Sequence, residues 1–131
     1  MNNVLFVCVH NAGRSQMAEA FYNKLSKGHG KAISAGTNPA SAVGPTVVKV
    51  MKEVDIDISG KKPKLLTPDL IDEVNLVVTM GCDAEVVCPA SWIDTRDWQV
   101  EDPKDKSIEK VREIRDEIRA RVIELLNRIG S

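Results

Sequence analysis

The chain predicts an α/β fold, a three-layer sandwich in which a four-stranded parallel sheet is flanked by helices. Three observations carry that expectation. Short strand-like runs, apolar through their middles, alternate with stretches of helical period. Runs of that kind without polar alternation suit strands covered on both faces, as in a parallel sheet. The third is a length of 131 residues, enough to bury a core without a metal or disulfide staple, so residues 1–131 are expected to form one domain.

The elements follow in order. Val4 to Val9 reads as a buried strand. Ser15 to about Lys27 reads as a helix with Met17, Ala18, Ala20, Phe21 and Leu25 inward, stopped by Gly28 and Gly30. Lys31 to Ala35 is a second strand, closed by Gly36. Pro45 opens a helix whose apolar face is Val47, Val48, Val50, Met51 and Val54. Pro63 and Pro68 punctuate a basic connector, Lys61-Lys62-Pro63-Lys64. Asn75 to Met80 is the third strand, and residues between Trp92 and Trp98 supply a short fourth. From Lys106 onward Ile108, Val111, Ile114, Ile118, Val122, Leu125, Leu126 and Ile129 recur at helical spacing, with Glu117 and Arg121 placed to pair on the charged face.

Composition narrows the setting. A net charge of −1 without a long basic run gives no footprint for nucleic acid. No apolar stretch approaches a membrane span, and the N-terminal apolar run is too short for a signal peptide. A cytoplasmic protein with reduced thiols is expected. Its three cysteines are an odd count, which fits a structural disulfide framework poorly.

The run Val4-Leu5-Phe6-Val7-Cys8-Val9-His10-Asn11-Ala12-Gly13-Arg14-Ser15 carries the chemistry. A strand delivers Cys8 into a loop, and five residues later come Arg14, Ser15 and a helix. Backbone amides of Val9, His10, Asn11, Ala12, Gly13, Arg14 and Ser15, with the positive end of the helix, converge on one anion. Gly13 is expected to let the backbone curl. Arg14 adds a bidentate clamp for two oxygens. The same field favours the thiolate of Cys8, and Ser15 can donate a hydrogen bond to it. An apolar strand ending in a buried cysteine is otherwise an ordinary core strand. The spacing to Arg14 and the helix onset set this one apart. In a parallel sheet ligands bind beyond the carboxyl ends of the strands, where this loop lies.

Asp102-Pro103 follows Glu101 in a polar loop before the last helix. Asp-Pro is a common turn dipeptide, but beside a cysteine that attacks an oxyanion Asp102 is the natural donor of a proton to the departing oxygen. Cys82 and Cys88 follow the third strand, whose carboxyl end should open beside Cys8. Two small buried hydrophobes and a zinc site with His10 are the competing readings. The Cys-x5-Cys spacing without a second pair argues against zinc, so no metal is expected. A thiol relay fits better: Cys8 takes the oxyanion, a second thiol displaces it, and a third moves the disulfide outward. His10 reads as a loop side chain facing solvent or substrate rather than a base, and His29 as an exposed turn residue. Trp92 and Trp98 read as packing residues.

Phe6-Val7-Cys8-x5-Arg14-Ser15-Gln16-Met17-Ala18-Glu19, Ser34-Ala35-Gly36, Asp55-Ile56-Asp57-Ile58-Ser59, Val77-Val78-Thr79-Met80, Glu101-Asp102-Pro103 and Val111-Arg112-x2-Arg115-Asp116-Glu117-Ile118 together span nearly the whole chain. In these runs it resembles the arsenate reductases of the low-molecular-weight protein tyrosine phosphatase superfamily, of the thioredoxin-coupled type. The resemblance implies that Cys8 attacks arsenate while Asp102 protonates the leaving oxygen. Cys82 then attacks the adduct and releases arsenite, and Cys88 resolves the Cys8–Cys82 disulfide to Cys82–Cys88 for thioredoxin to reduce. It implies no cofactor, phosphate and sulfate as analogues of arsenate, weak phosphatase activity, no nucleic-acid or membrane partner, and a monomer.

The chain departs from that family at several points. Relay cysteines elsewhere are spaced Cys-x6-Cys starting where Gly81 stands, and a common loop cysteine is here Gly13. Asn11, Glu19 and Ser34 match a potassium site of many members, whereas Lys62 and Lys64 fall where a threonine and an aspartate contribute. A lysine ammonium in place of the cation predicts no potassium requirement. Two other readings compete. One is a phosphatase for phosphotyrosine or small phosphoesters; tyrosine phosphatases of this fold look for aromatic walls and usually follow the Asp-Pro pair with tyrosines, whereas Lys104 and Asp105 follow Asp102-Pro103 here. A non-catalytic phosphocarrier would have no use for Asp102, Cys82 and Cys88.

Overall fold

Sequence order places Cys8 at the end of a central strand, and the computed structural model, which describes residues 3–28, 30–80 and 94–129, shows how. The elements run β1 (Val4–Cys8), α1 (Arg14–Leu25), β2 (Ala32–Gly36), α2 (Pro45–Lys52), α3 (Pro68–Asp72), β3 (Leu76–Met80), β4 (Asp94–Asp97) and α4 (Ile108–Ile129). The strands form one sheet in the order β2-β1-β3-β4, each neighbour parallel. From β1 the chain moves one way to β2 and then returns past β1 to β3, so the connections diverge at the carboxyl end of β1. The register sets Cys8 between Gly36 on one side and Met80 on the other.

Side-chain alternation along β1 divides the core. Val4, Phe6 and Cys8 face Met17 and Phe21 of α1, Val50 and Met51 of α2, and the Val111, Ile114, Ile118, Val122 and Leu125 stripe of α4. Leu5 and Val7 face the other way, with Ala35 and Val77, and are covered by Leu66 and by Leu70 and Ile71 of α3. All five residues of β1 and of β3 are buried, the burial that unalternating apolar runs require. Trp98 packs against Phe6 with ring centroids 5.7 Å apart, as a packing residue. Tyr22, the one tyrosine in the chain, lies in the same core, where burial pushes its phenol above the ordinary value.

Some boundaries differ from the sequence expectation. Helix α1 ends at Leu25, where Ser26 donates its amide to Tyr22, and the left-handed turn that follows uses Lys27 (φ 51°) as well as Gly28 (φ 87°). Pro68 starts a helix rather than merely interrupting a connector, seated in the first turn behind an extended Thr67. The fourth strand, Asp94-Thr95-Arg96-Asp97, is polar, which an edge position beside β3 permits. Cys82, Cys88 and Trp92 lie outside the described residues, as does His29.

Candidate active site

The loop after β1 is shaped by where its carbonyls go. A second segment, residues 37–44, runs beside it and donates from Thr37 to the Cys8 carbonyl (3.4 Å), Asn38 to Val9 (2.8 Å), Ala40 to His10 (2.9 Å) and Gly44 to Ala12 (3.0 Å). Gln16 Nε2 reaches the Asn11 carbonyl at 3.2 Å, and the Met17 amide the Gly13 carbonyl at 3.0 Å. Each peptide is planar and trans, so a carbonyl held outward turns the next amide the opposite way. The amides of Val9, His10, Asn11, Ala12, Gly13 and Arg14 therefore face the centre of the loop. That concave row of N–H groups, at the start of α1, is an anion cradle.

The curl comes from a different residue than expected. Asn11 adopts φ 50°, the left-handed conformation that Asn tolerates better than most side chains. Gly13 has φ −148°, so freedom of curvature is not its role. A Cβ on Gly13 would stand 2.8 Å from Pro103 Cγ, so glycine is there to let the Asp102 loop close onto the anion loop. Gly36 has a similar purpose, because a Cβ there would lie 2.7 Å from the Val9 carbonyl.

The hydrogen bonds around Cys8 have a fixed direction. Asn11 Oδ1 accepts from the backbone amide of Lys64 (3.0 Å), which can only donate, and from Gln16 Nε2 (3.1 Å). Asn11 Nδ2 is thereby turned to Ser15 Oγ and donates to it at 2.7 Å. The hydroxyl has one proton, and the remaining partner is Cys8 Sγ at 2.9 Å. Ser15 thus donates to the sulfur, an arrangement that suits a thiolate. Cys8, Asn11 and Ser15 are all buried.

Arg14 is 6% exposed and donates Nη1 to the Val100 carbonyl at 3.2 Å. Its Nη2 lies 3.6 Å from Asp102 Oδ2. Asp102 Oδ1 accepts from the Lys104 amide at 3.0 Å, and its side chain is half exposed. Glu101 pairs with Lys106 within the loop (3.6 Å) and moors the loop to the last helix through Lys110 (3.5 Å). Cys8, Arg14 and Asp102 open on one cavity of about 410 Å³, whose other walls include His10, Ala12, Ala40, Ala42, Val47, Pro103 and Lys104. His10 is held by donation from Nδ1 to the Asn38 carbonyl at 3.1 Å, which makes it a clamp between the loop and its outer segment.

The cation beside Glu19 is also not the one anticipated. Glu19 is 4% exposed, accepts from Ser34 Oγ at 3.2 Å, and has Lys61 Nζ 3.4 Å from its other oxygen. Lys62 and Lys64 serve the site through their backbones, as the carbonyl near Gln16 (3.4 Å) and the amide on Asn11. Lysines 61 and 62 are adjacent in a loop, and only the turn decides which side chain reaches inward. Among the described residues no group of three or more His, Cys, Asp or Glu side chains is placed to hold a metal.

Sequence reasoning singled out Cys8, Arg14 and Asp102, which line this cavity, and Ser15, buried behind Cys8, but left out the Val100 carbonyl, the Gly13–Pro103 contact and the segment 37–44. The signal for the last was slight: Gly36 and Gly44 bracket a stretch with no periodicity.

The fold and loop have known counterparts. The family profile of low molecular weight phosphotyrosine protein phosphatases matches residues 3–131. A glutaredoxin arsenate reductase of Synechocystis sp. is 37% identical over 99% of this chain and 100% of its own length. Arsenate reductase 1 of Bacillus cereus is 37% identical, with 91% and 90% covered. The structure of a thioredoxin-dependent arsenate reductase from Corynebacterium glutamicum superposes with a TM-score of 0.85 at 40% identity; the match covers 99% of this chain and 62% of that one. The chain therefore belongs to the low molecular weight phosphotyrosine protein phosphatase family and, within it, is similar to arsenate reductases.

Proposed function

We propose that this protein reduces arsenate to arsenite through Cys8, Asp102, Cys82 and Cys88. The observation that carries the reading is a buried cysteine, hydrogen-bonded by Ser15, at the base of an anion cradle with Arg14 and Asp102 in its wall. Cys8 attacks arsenic while the loop amides and Arg14 hold the oxygens. Asp102 hands a proton to the departing oxygen, which leaves as water. Cys82 then attacks Cys8 Sγ, and arsenic leaves with the electron pair of the sulfur–arsenic bond as arsenite. Arsenic gains two electrons, and the two thiols become the Cys8–Cys82 disulfide. Cys88 displaces Cys8 to give Cys82–Cys88. The register supports the order, since β3 ends at Met80 beside Cys8 and Cys82 follows two residues along the chain.

Two solved or curated relatives are named for thioredoxin and glutaredoxin, so the reductant is a dithiol protein of that class, with thioredoxin the first choice. We assign the protein to a reducing cytoplasm as a monomer. Among the described residues no helix is long and apolar enough to cross a membrane. The test is arsenate-dependent NADPH oxidation with thioredoxin and its reductase. Turnover is expected for wild type and lost in Cys8→Ser, Cys82→Ser and Cys88→Ser. Full turnover in both Cys82→Ser and Cys88→Ser would end the relay assignment.

A further inference from the structure

A guanidinium clamps an oxyanion through two parallel N–H groups, so the direction of its plane decides how well it grips. For Arg14 that direction is set from outside the anion loop, by the Val100 carbonyl 3.2 Å from Nη1. Val100 stands three residues beyond the end of β4, on a strap that is tied back to β3 at Thr79. The Thr79 carbonyl accepts from the Trp98 amide at 2.8 Å. Its hydroxyl donates to Asp97 Oδ1 at 3.0 Å, with the Arg96 carbonyl a longer alternative at 3.4 Å. The other carboxylate oxygen of Asp97 accepts from Gln99 Nε2 at 2.6 Å. Thr79 is fully buried and is the one polar residue of Leu76–Met80. A hydroxyl inside an apolar strand costs stability unless it is hydrogen-bonded, and valine would fill the same space without that cost. Asp97, the carboxylate it meets, is exposed, so core packing does not call for the bond.

We propose that Thr79 and Asp97 are positioning residues for Arg14. The Thr79 hydroxyl pins Asp97, the pinned strap places the Val100 carbonyl, and that carbonyl orients the guanidinium toward the oxyanion. Neither Thr79 nor Asp97 is among the described residues that line the cavity, so both act on oxyanion affinity through Arg14 rather than by contact. This role depends on Arg14 being the oxyanion clamp, as in the proposed function. It involves neither the acid nor the relay thiols.

The test reads oxyanion affinity as the protection that inorganic phosphate gives Cys8 against iodoacetamide in the full, reduced chain. KM and kcat for arsenate are measured beside it. Thr79→Val should weaken phosphate binding about fivefold, the effect of one typical hydrogen bond, and raise KM by a similar factor. Alkylation without phosphate, and kcat, should stay within about twofold, whereas a damaged fold would change both. Thr79→Ser keeps the hydroxyl and should bring affinity back to within about twofold of wild type. Asp97→Ala, at an exposed position, should repeat the loss, and the double variant should be no worse than either single one. In an Arg14→Ala background Thr79→Val should weaken phosphate no further, because the guanidinium it orients is gone. Unchanged affinity in Thr79→Val and Asp97→Ala, or the same fivefold loss in the Arg14→Ala background, would overturn the proposal. Phosphate affinity unchanged by Arg14→Ala alone would remove the oxyanion clamp itself, and the positioning role with it.

Discussion

Replacing Gly13 by alanine isolates how the two loops of the site are held together. The new methyl would sit 2.8 Å from Pro103 Cγ, where ordinary contact begins near 3.4 Å. Pro103 must therefore retreat by at least about half an ångström. Pro103 is buried, but Lys104, Asp105 and Lys106 beyond it are exposed, so the loop yields and the core does not. The stability cost should be near the low end of overpacking, about 1 kcal/mol, or a fall of roughly 3–4 °C in Tm for a chain of this size. Catalysis should suffer more. Asp102 precedes Pro103 and lies 3.6 Å from Arg14, so the displacement carries the proposed proton donor away from the departing oxygen. Misplacement on that scale costs on the order of ten- to a hundredfold in kcat. The assay is arsenate-dependent NADPH oxidation, read beside the rate at which iodoacetamide alkylates Cys8. Slower turnover with alkylation unchanged is the expected result. Unchanged turnover would refute the idea that the Gly13–Pro103 contact sets the position of Asp102.

Other predictions address separate contacts. Ser15→Ala removes the donor 2.9 Å from Cys8 Sγ, so alkylation of Cys8 at neutral pH should slow severalfold while the fold is retained by circular dichroism. Glu53 joins α2 to α4 through Arg112 (2.8 Å) and Arg115 (2.9 Å), and the hydrogen bond from Arg112 holds its carboxyl down at about 2, against an ordinary value of 4.5. A depressed carboxyl contributes stability that is complete above the ordinary value and is lost as pH falls through the folded one. Tm should therefore drop between about pH 4.5 and 2 more steeply in wild type than in Glu53→Gln, and parallel curves would count against the pairing. With Lys61 Nζ 3.4 Å from Glu19, exchanging sodium for potassium should leave Tm within about 1 °C. A markedly larger rise in potassium would show that the ammonium does not stand in for a cation.

Much of this architecture was readable in the residues, for identifiable reasons. Strands β1 and β3 are buried on both faces, so their burial is written as uninterrupted apolar runs. The heptad-like stripe of α4 is long enough for its period to register. Strand β4 lacks that mark because it is an edge strand of polar residues, and α3 spans only Pro68–Asp72, too short for a period to develop. Within the site, Cys8, Arg14 and Ser15 were legible because their spacing is local. Asp102 stood out only beside them, as a carboxylate in want of a role. The direction of the Ser15 hydroxyl depends on a backbone amide at Lys64, 53 residues from Asn11, and no sequence pattern carries such a contact. Gly13 was legible as a glycine but not for its reason, because the atom it makes way for belongs to Pro103.

The most direct test of the account is a single turnover of the fully reduced protein with one equivalent of arsenate and no reductase. The products would be alkylated and the disulfides mapped by mass. Wild type should yield about one equivalent of arsenite and a Cys82–Cys88 disulfide, and Cys88→Ser should stop at Cys8–Cys82. Arsenite formed with Cys82 and Cys88 both still reduced, or no arsenite at all while Cys8 remains alkylatable, would contradict the relay on which the proposed function depends.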